Sequence, residues 1–321
     1  MSALQRPVPA DARVVAVVVA WNRRELLTEC LAALEGQTRR VDAIVVVDNA
    51  STDGSPTAAK ETLDRVDVVR LERNTGGAGG FTVGIHRAMT AHAADLIWLM
   101  DDDTVPTATA LEELAAAFAR TGAAPVLACS RVVWTDGSDH PMNTPRPDPF
   151  ASARTRDRLA ANGLVPVRSA SFVSMAVTAE RVREVGLPIA DYFLWNDDFE
   201  FSTRVLRGRR GVAALGSVVR HLTKRRGATD DDPGERFYFE VRNKLWMFRL
   251  SSGLTAREKL VYGASSLVRW LRTFAKSRSR RVLLSAFARG WRDGVRTRPR
   301  TNAAVLAGAG YPELSGGAAG A

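Results

Sequence analysis

The sequence predicts an α/β fold with a mostly parallel central sheet and a helical appendage towards the C-terminal end. Three observations predict it. Short apolar runs alternate with segments of helical period from residue 14 to about residue 100. Polar and acidic residues gather where those runs end, which is the edge of a parallel sheet where ligands bind. The positive charge is segregated: of 45 Lys/Arg and 35 Asp/Glu, residues 254–300 hold 13 and 2, leaving 32 and 33 elsewhere. A neutral body with a basic stretch points to a partner rather than to solubility.

Residues 14–20 (VVAVVVA) read as a strand buried on both faces, with a helix from about 23 to 34 after Asn22. Residues 43–47 (AIVVV) are the second strand and run into Asp48 and Asp53; a helix follows from about 55 to 63. The third strand, 66–71, leads to Asn74, Gly76, Gly77, Gly79 and Gly80, which open a helix to about 93. The fourth, 96–100 (LIWLM), ends in Asp101, Asp102 and Asp103. A helix near 107–120 and an apolar stretch at 126–134 follow. Residues 135–165, with Pro141, Pro145, Pro147 and Pro149, read as a long pocket-shaping loop. Strand character returns at 167–177 and 211–221, and residues 223–235 read as a mobile polar segment. Amphipathic helices are expected at about 256–276 and 280–296. In the first, Leu260, Ala264, Leu267, Val268, Leu271 and Phe274 share one face; the second carries Leu283, Phe287 and Trp291. The organisation expected is a catalytic domain over 1–253, a basic helical region over 254–300 and an unstructured tail over 301–321.

Three adjacent carboxylates repel one another, so Asp101–Asp103 read either as ligands of a hard divalent cation or as an acidic turn capping the next helix. The glycines suit either close backbone approach to a phosphate or a tight packing turn. Asp48 reads as an acceptor for a nucleobase N–H or as a helix cap, and Asp53 as a cap. In YFLWNDDFEF, Asp197 and Asp198 lie between Trp195 and Phe199 with Glu200 nearby, where desolvation and repulsion raise a carboxylate pKa as a general base requires. Acidic residues favoured at a helix start are the other reading. His221 alone reads as structural. Cys30 and Cys129 suggest no disulfide, and neither a signal peptide nor an 18-residue apolar run is present, so a cytoplasmic or membrane-peripheral protein is expected.

Together the motifs Asp48-Asn49-Ala50-Ser51-Thr52-Asp53, Asn74 to Phe81, Asp101–Asp103 and Trp195 to Glu200 resemble family 2 glycosyltransferases of the GT-A (nucleotide-diphospho-sugar transferase) fold, over about residues 13–250. The glycine motif with Trp98 to Asp103 is most similar to galactofuranosyltransferases of actinobacterial cell-wall galactan. Residues 231–237 and Arg242-Asn243 resemble the initiating member of that group. The resemblance implies that Asp48 meets uracil, with Ala20 and Asn22 nearby and Asp53 supporting the loop. It implies that Asn74, Gly76, Gly77, Gly79, Asp102, Trp195 and Asp197 line the nucleotide-sugar. Asp101, Asp103 and His221 become ligands of Mn2+ or Mg2+, and Asp198 the catalytic base. Ala20 departs from a usual Thr or Pro, and Asn196 from the usual residue between Trp195 and Asp197.

The implied function is a metal-dependent inverting transfer of galactofuranose from UDP-galactofuranose to a polyprenyl-diphosphate-linked glycan. dTDP-rhamnose transferases share much of the pattern. A membrane-docked nucleotide-sugar-binding protein without catalysis is the alternative of another class. The basic amphipathic helices suit an anionic membrane surface on the inner face of the plasma membrane, or a pair packed on the body with a solvated basic face. No nucleic-acid recognition motif accompanies them.

Overall fold

The computed structural model describes residues 8–9, 11–63, 65–119, 124–140, 143–223 and 232–315. The chain begins with β1 (Val14–Ala20), α1 (Arg24–Glu35), β2 (Ala43–Asp48), α2 (Ser55–Thr62), β3 (Val66–Arg70), α3 (Gly76–Thr90) and β4 (Leu96–Asp101). It continues through β5 (Thr104–Pro106), α4 (Ala110–Ala119), β6 (Leu127–Val133), β7 (Arg146–Pro147), α5 (Ala153–Ala160), β8 (Leu164–Ser169), β9 (Met175–Thr178) and α6 (Ala179–Val185). Then come α7 (Asp197–Val205), β10 (Gly211–His221), α8 (Phe237–Leu250), α9 (Ala256–Lys276), α10 (Arg280–Arg296) and α11 (Asn302–Ala307).

One sheet runs β3-β2-β1-β4-β9-β6-β10-β8-β7, with β5 added to β10. The first four strands are parallel, and β6 and β10 are again parallel beyond the antiparallel β9. Alternate β1 residues face opposite layers: Val15, Val17 and Val19 pack towards α3 and α7, while Val14, Ala16 and Val18 pack towards α1 and α4. Burial on both faces is why these strands are apolar without alternation. The register also sets the site. Ala20 pairs with Asp48, Asp48 with Arg70, and Val19 with Asp101, so the strand ends align on one edge.

Residues 135–165 are less irregular than their prolines suggest. The prolines stop at 149, and Ser152 then caps α5 by accepting the Thr155 N–H. The expectation of an unstructured tail from 301 is also corrected. Thr301 caps α11, and Val305, Leu306 and Tyr311 are buried in the core beside β1 and α3. Arg73 donates to the Val305 carbonyl at 2.8 Å, and Asn302 accepts the Ala190 N–H at 2.9 Å. Alanine and glycine around two core residues disguised this anchor as low complexity. Residues 316–321 lie outside the described residues, as do 224–231 of the segment expected to be mobile.

α9 and α10 occupy the expected spans, but their faces divide differently. Ser266, Trp270 and Thr273 are the buried positions in the body of α9, and Phe274 turns inward to a cluster with Phe237, Leu283 and Phe287. Leu260, Leu267 and Leu271 point outward, 75%, 56% and 61% exposed, with Val261 and Val268 beside them. Gly290 and Gly294 let α10 close onto α8, where a Cβ would meet the Tyr238 carbonyl at 2.7 Å and Leu245 at 2.8 Å. Among the described residues, no helix is long and apolar enough to cross a membrane.

Candidate active site

The three carboxylates at the end of β4 have three different surroundings. β5 leaves directly after them and pairs with the end of β10, putting His221 opposite Thr104. His221 Nε2 therefore lies 3.0 Å from Asp103 Oδ1, while its Nδ1 faces Asn143 Oδ1 at 3.0 Å. Ligand atoms of Asp101, Asp103 and His221 all lie within 4.8 Å of one another. Two carboxylates and an imidazole converging on one point suit Mn2+ or Mg2+. Burial and the Asp103 charge push Asp101 up to about 7. Asp103, also buried, is held below the usual carboxylate range by its His221 hydrogen bond, and against the pull of burial His221 is raised in turn.

Asp102 turns the other way. It accepts the Trp21 N–H at 3.0 Å and the Arg23 guanidinium at 3.1 Å, tying the β1–α1 loop to β4. Burial raises it to about 6 against these bonds. Arg23 also pairs with Asp103, a contact the sequence reading did not anticipate.

The neighbouring loops are cross-linked. The Asn22 N–H bonds to Ser51 Oγ at 2.9 Å, and its side chain accepts the Thr52 N–H at 2.8 Å. Asp48, buried beside its register partner Ala20, accepts the Ser51 N–H. Asp53 accepts the N–H groups of Arg24 and Ser55 at 2.9 and 3.0 Å, the capping role. Desolvation opposes its ionisation, but the bonds from Ser55 and Arg24 together lower its pKa. Asn49, absent from the candidates, clamps the glycine turn: it accepts from the Thr75 N–H and donates to the Gly76 carbonyl. Asn74 accepts the Gly76 N–H at 2.7 Å. Gly76 has φ +70°, and a Cβ there would fall 1.9 Å from the Phe193 carbonyl. Gly79 is buried, its missing side chain replaced by Thr75, so packing dictates it. Gly77 is the half-buried one and faces Asp197.

Asp197 and Asp198 begin α7 after a contorted approach. Phe193, Trp195 and Asn196 have φ of 62°, 64° and 64°. Buried Asn243 on α8 restrains them, its amide 2.9 Å from the carbonyls of Tyr192, Leu194 and Trp195. Arg242 donates to the Asp191 and Tyr192 carbonyls while its guanidinium lies 4.2 Å from the Trp246 ring centroid. The Arg242-Asn243 pair is thus the mould for the acidic loop. Burial, with the charges of Asp198 and Asp101, drives Asp197 well above the carboxylate range. Burial raises Asp198 as well, opposed by the Phe199 N–H at 2.6 Å and by Lys244 and Arg146. Glu200 leaves the site: it pairs with Arg204 in the interior at 2.9 Å.

Asp198 opens onto a cleft of about 460 Å³ between β7–β8 and the α8–α9 pair. Trp195, Arg146, Lys244, Arg269 and Trp270 line it, and Glu240 is held there by Asn196 at 2.8 Å and Arg269 at 2.6 Å. Sequence reasoning missed Arg146, Lys244 and Arg269 because each comes from a different distant element.

Residues 15–180 match the profile of Glycosyl transferase family 2. The chain is 30% identical over 275 residues to galactofuranosyltransferase GlfT1 of Mycobacterium tuberculosis, covering 79% of this chain and 89% of that protein. It is 32% identical over 206 residues to GlfT1 of Mycolicibacterium smegmatis, covering 60% of this chain and 65% of that one. Solved structures share the fold. S. aureus TarS 1-349 in complex with UDP superposes with a TM-score of 0.57 at 17% identity, covering 83% of this chain and 73% of that one. GalNAc-T7 with UDP, GalNAc and Mn2+ gives 0.54 at 16%, covering 86% and 56%. On the family profile and the relative matched along most of its length, the chain belongs to glycosyl transferase family 2.

Proposed function

We propose that the protein is an inverting galactofuranosyltransferase that uses UDP-galactofuranose and extends a polyprenyl-diphosphate-linked glycan in cell-wall synthesis. The observation that carries this is the division of carboxylates on one sheet edge. Asp101, Asp103 and His221 form a cation-type cluster, and Asp198 opens separately onto a cleft. The GlfT1 relatives supply the sugar, and the UDP complex of TarS and the UDP, GalNAc and Mn2+ complex of GalNAc-T7 support a nucleotide-sugar donor and a cation.

In this reading Asp48, Ala20 and Asn22 receive the uracil, and Asn74, Gly76, Gly77, Asp102 and Trp195 surround the diphosphate and sugar. Asp101, Asp103 and His221 hold Mn2+ or Mg2+, which supplies positive charge for the departing diphosphate. Asp198 takes the proton of the acceptor hydroxyl, a contribution of roughly 10²–10⁴-fold. Transfer assays with UDP- and dTDP-sugars plus Mn2+ test the donor: transfer from dTDP-rhamnose and none from UDP-galactofuranose refutes it. Asp198→Asn tests the base and is expected to abolish transfer while UDP binding persists.

The same reading seats α9 on an anionic membrane from the cytoplasmic side. Its support is the outward row of Leu260, Leu267 and Leu271 in a region carrying most of the net charge. Truncation at 253 would also strip Val305, Leu306 and Tyr311 from the core, so charge substitution is the cleaner test. The triple change L260E/L267E/L271E is expected to abolish sedimentation with phosphatidylglycerol vesicles; undiminished binding excludes this face.

A further inference from the structure

Lys244 is the buried charge that the reaction outlined above leaves without a task. It projects from α8 with 5% of its surface exposed, and among the described residues it has no hydrogen bond or ion pair. Its ammonium lies 5.0 Å from the Phe199 ring centroid, on the residue that follows Asp198, and both Lys244 and Asp198 line the 460 Å³ cleft. An ammonium largely withdrawn from water at a cleft wall is costly, and burial brings it down to about 8 although Glu240 opposes the shift.

The charges around Asp198 come from every element packed near it. Asp197 adjoins it on α7, and Asp101 lies beyond on β4. Arg146 approaches from β7, Lys244 and Glu240 from α8, and Arg269 from α9. Arg269 is tied to Glu240 at 2.6 Å, and Arg146 is exposed, where water and salt screen it. Lys244 is the least exposed of these three cations and is therefore the least screened.

We propose that Lys244 is a positioning residue for transfer: its buried charge keeps Asp198 ionised beside Asp197, so that Asp198 can receive the acceptor proton. This rests on Asp198 being the base. In the step, the acceptor oxygen bonds to the anomeric carbon, the bond from that carbon to the nucleoside diphosphate breaks, and the hydroxyl proton passes to Asp198. Lys244 exchanges no proton.

The test is the pH dependence of kcat/KM for the full chain with saturating Mn2+, in the parent protein and in K244M, K244Q and K244R. Loss of the charge raises the Asp198 pKa, so the acid limb in K244M and K244Q is expected to move up by about one pH unit or more. Activity at the foot of that limb then falls about tenfold and recovers as pH rises. K244R keeps the charge and is expected to hold the limb near its parental position. Two neutral variants, checked by circular dichroism, guard against one that does not fold. An unmoved acid limb, with the change confined to a higher KM for acceptor, overturns the proposal and makes Lys244 a ligand for an anionic group on the acceptor. Transfer by Asp198→Asn would instead remove the base assignment, whereas an inactive D198N with an unmoved limb in K244M refutes only the role of Lys244.

Discussion

Replacing Asn243 with Ala is expected to harm catalysis more than its distance from any substrate would suggest. The amide offers two N–H donors to three carbonyls, those of Tyr192, Leu194 and Trp195, and its oxygen accepts Arg242 Nε at 2.9 Å. Each lost bond removes about 1 kcal/mol net, and each buried group left unsatisfied adds about 1–3 kcal/mol. With partial relaxation, a total of about 3–4 kcal/mol is expected, large beside a typical stability of about 5–15 kcal/mol but survivable. The left-handed residues Phe193, Trp195 and Asn196 cost about 1 kcal/mol or more apiece and persist because the surroundings hold them. Without the clamp the loop can relax and carry Asp197 and Asp198 with it. A displacement of about 1 Å is worth about 100-fold in rate. Urea denaturation gives the stability term, and transfer from UDP-galactofuranose with Mn2+ gives the rate. A folded N243A with kcat within about threefold of the parent would refute the claim that this amide sets the acidic loop.

Three further outcomes are expected. Gly76→Ala puts a methyl into the Phe193 carbonyl at a backbone angle L-residues avoid, so a loss of several kcal/mol or a failure to accumulate folded protein is expected; a thermal midpoint within about 2 °C of the parent contradicts it. Mn2+ binding, followed by calorimetry, is expected to weaken by about tenfold or more per pH unit below 7, because the ion must displace the Asp101 proton and, with His221 raised as well, the imidazole proton. The sign for stability is the reverse of an ion-paired carboxylate. The folded pKa of Asp101 lies above its unfolded value, so its favourable contribution is complete below about 4 and fades as pH rises through about 7. Mn2+ should therefore raise the melting temperature more at pH 8 than at pH 6, and an equal rise at both refutes the assignment.

Sheet strands β1 to β4 are legible in the sequence because burial on both faces leaves unbroken apolar runs, and the residues that end them are where the register places them. The site is legible as far as it is built from those ends. What escapes is what depends on contacts between distant elements. Arg23 looks like an ordinary helix-start residue until Asp102 and Asp103 face it. Lys244 looks like a solvated helix position until the Phe199 ring faces it. The stripe on α9 is visible as a pattern, yet periodicity cannot say whether Leu260 or Trp270 faces the body. Val305 and Leu306 were hidden by the small residues around them.

The return of α11 to the core has a consequence for synthesis. Val305, Leu306 and Tyr311 complete a layer whose other members, Val15, Val17 and Val19, emerge from the ribosome nearly three hundred residues earlier. Until then one flank of β1 and α3 lacks its cover, and closing so long a loop is slow.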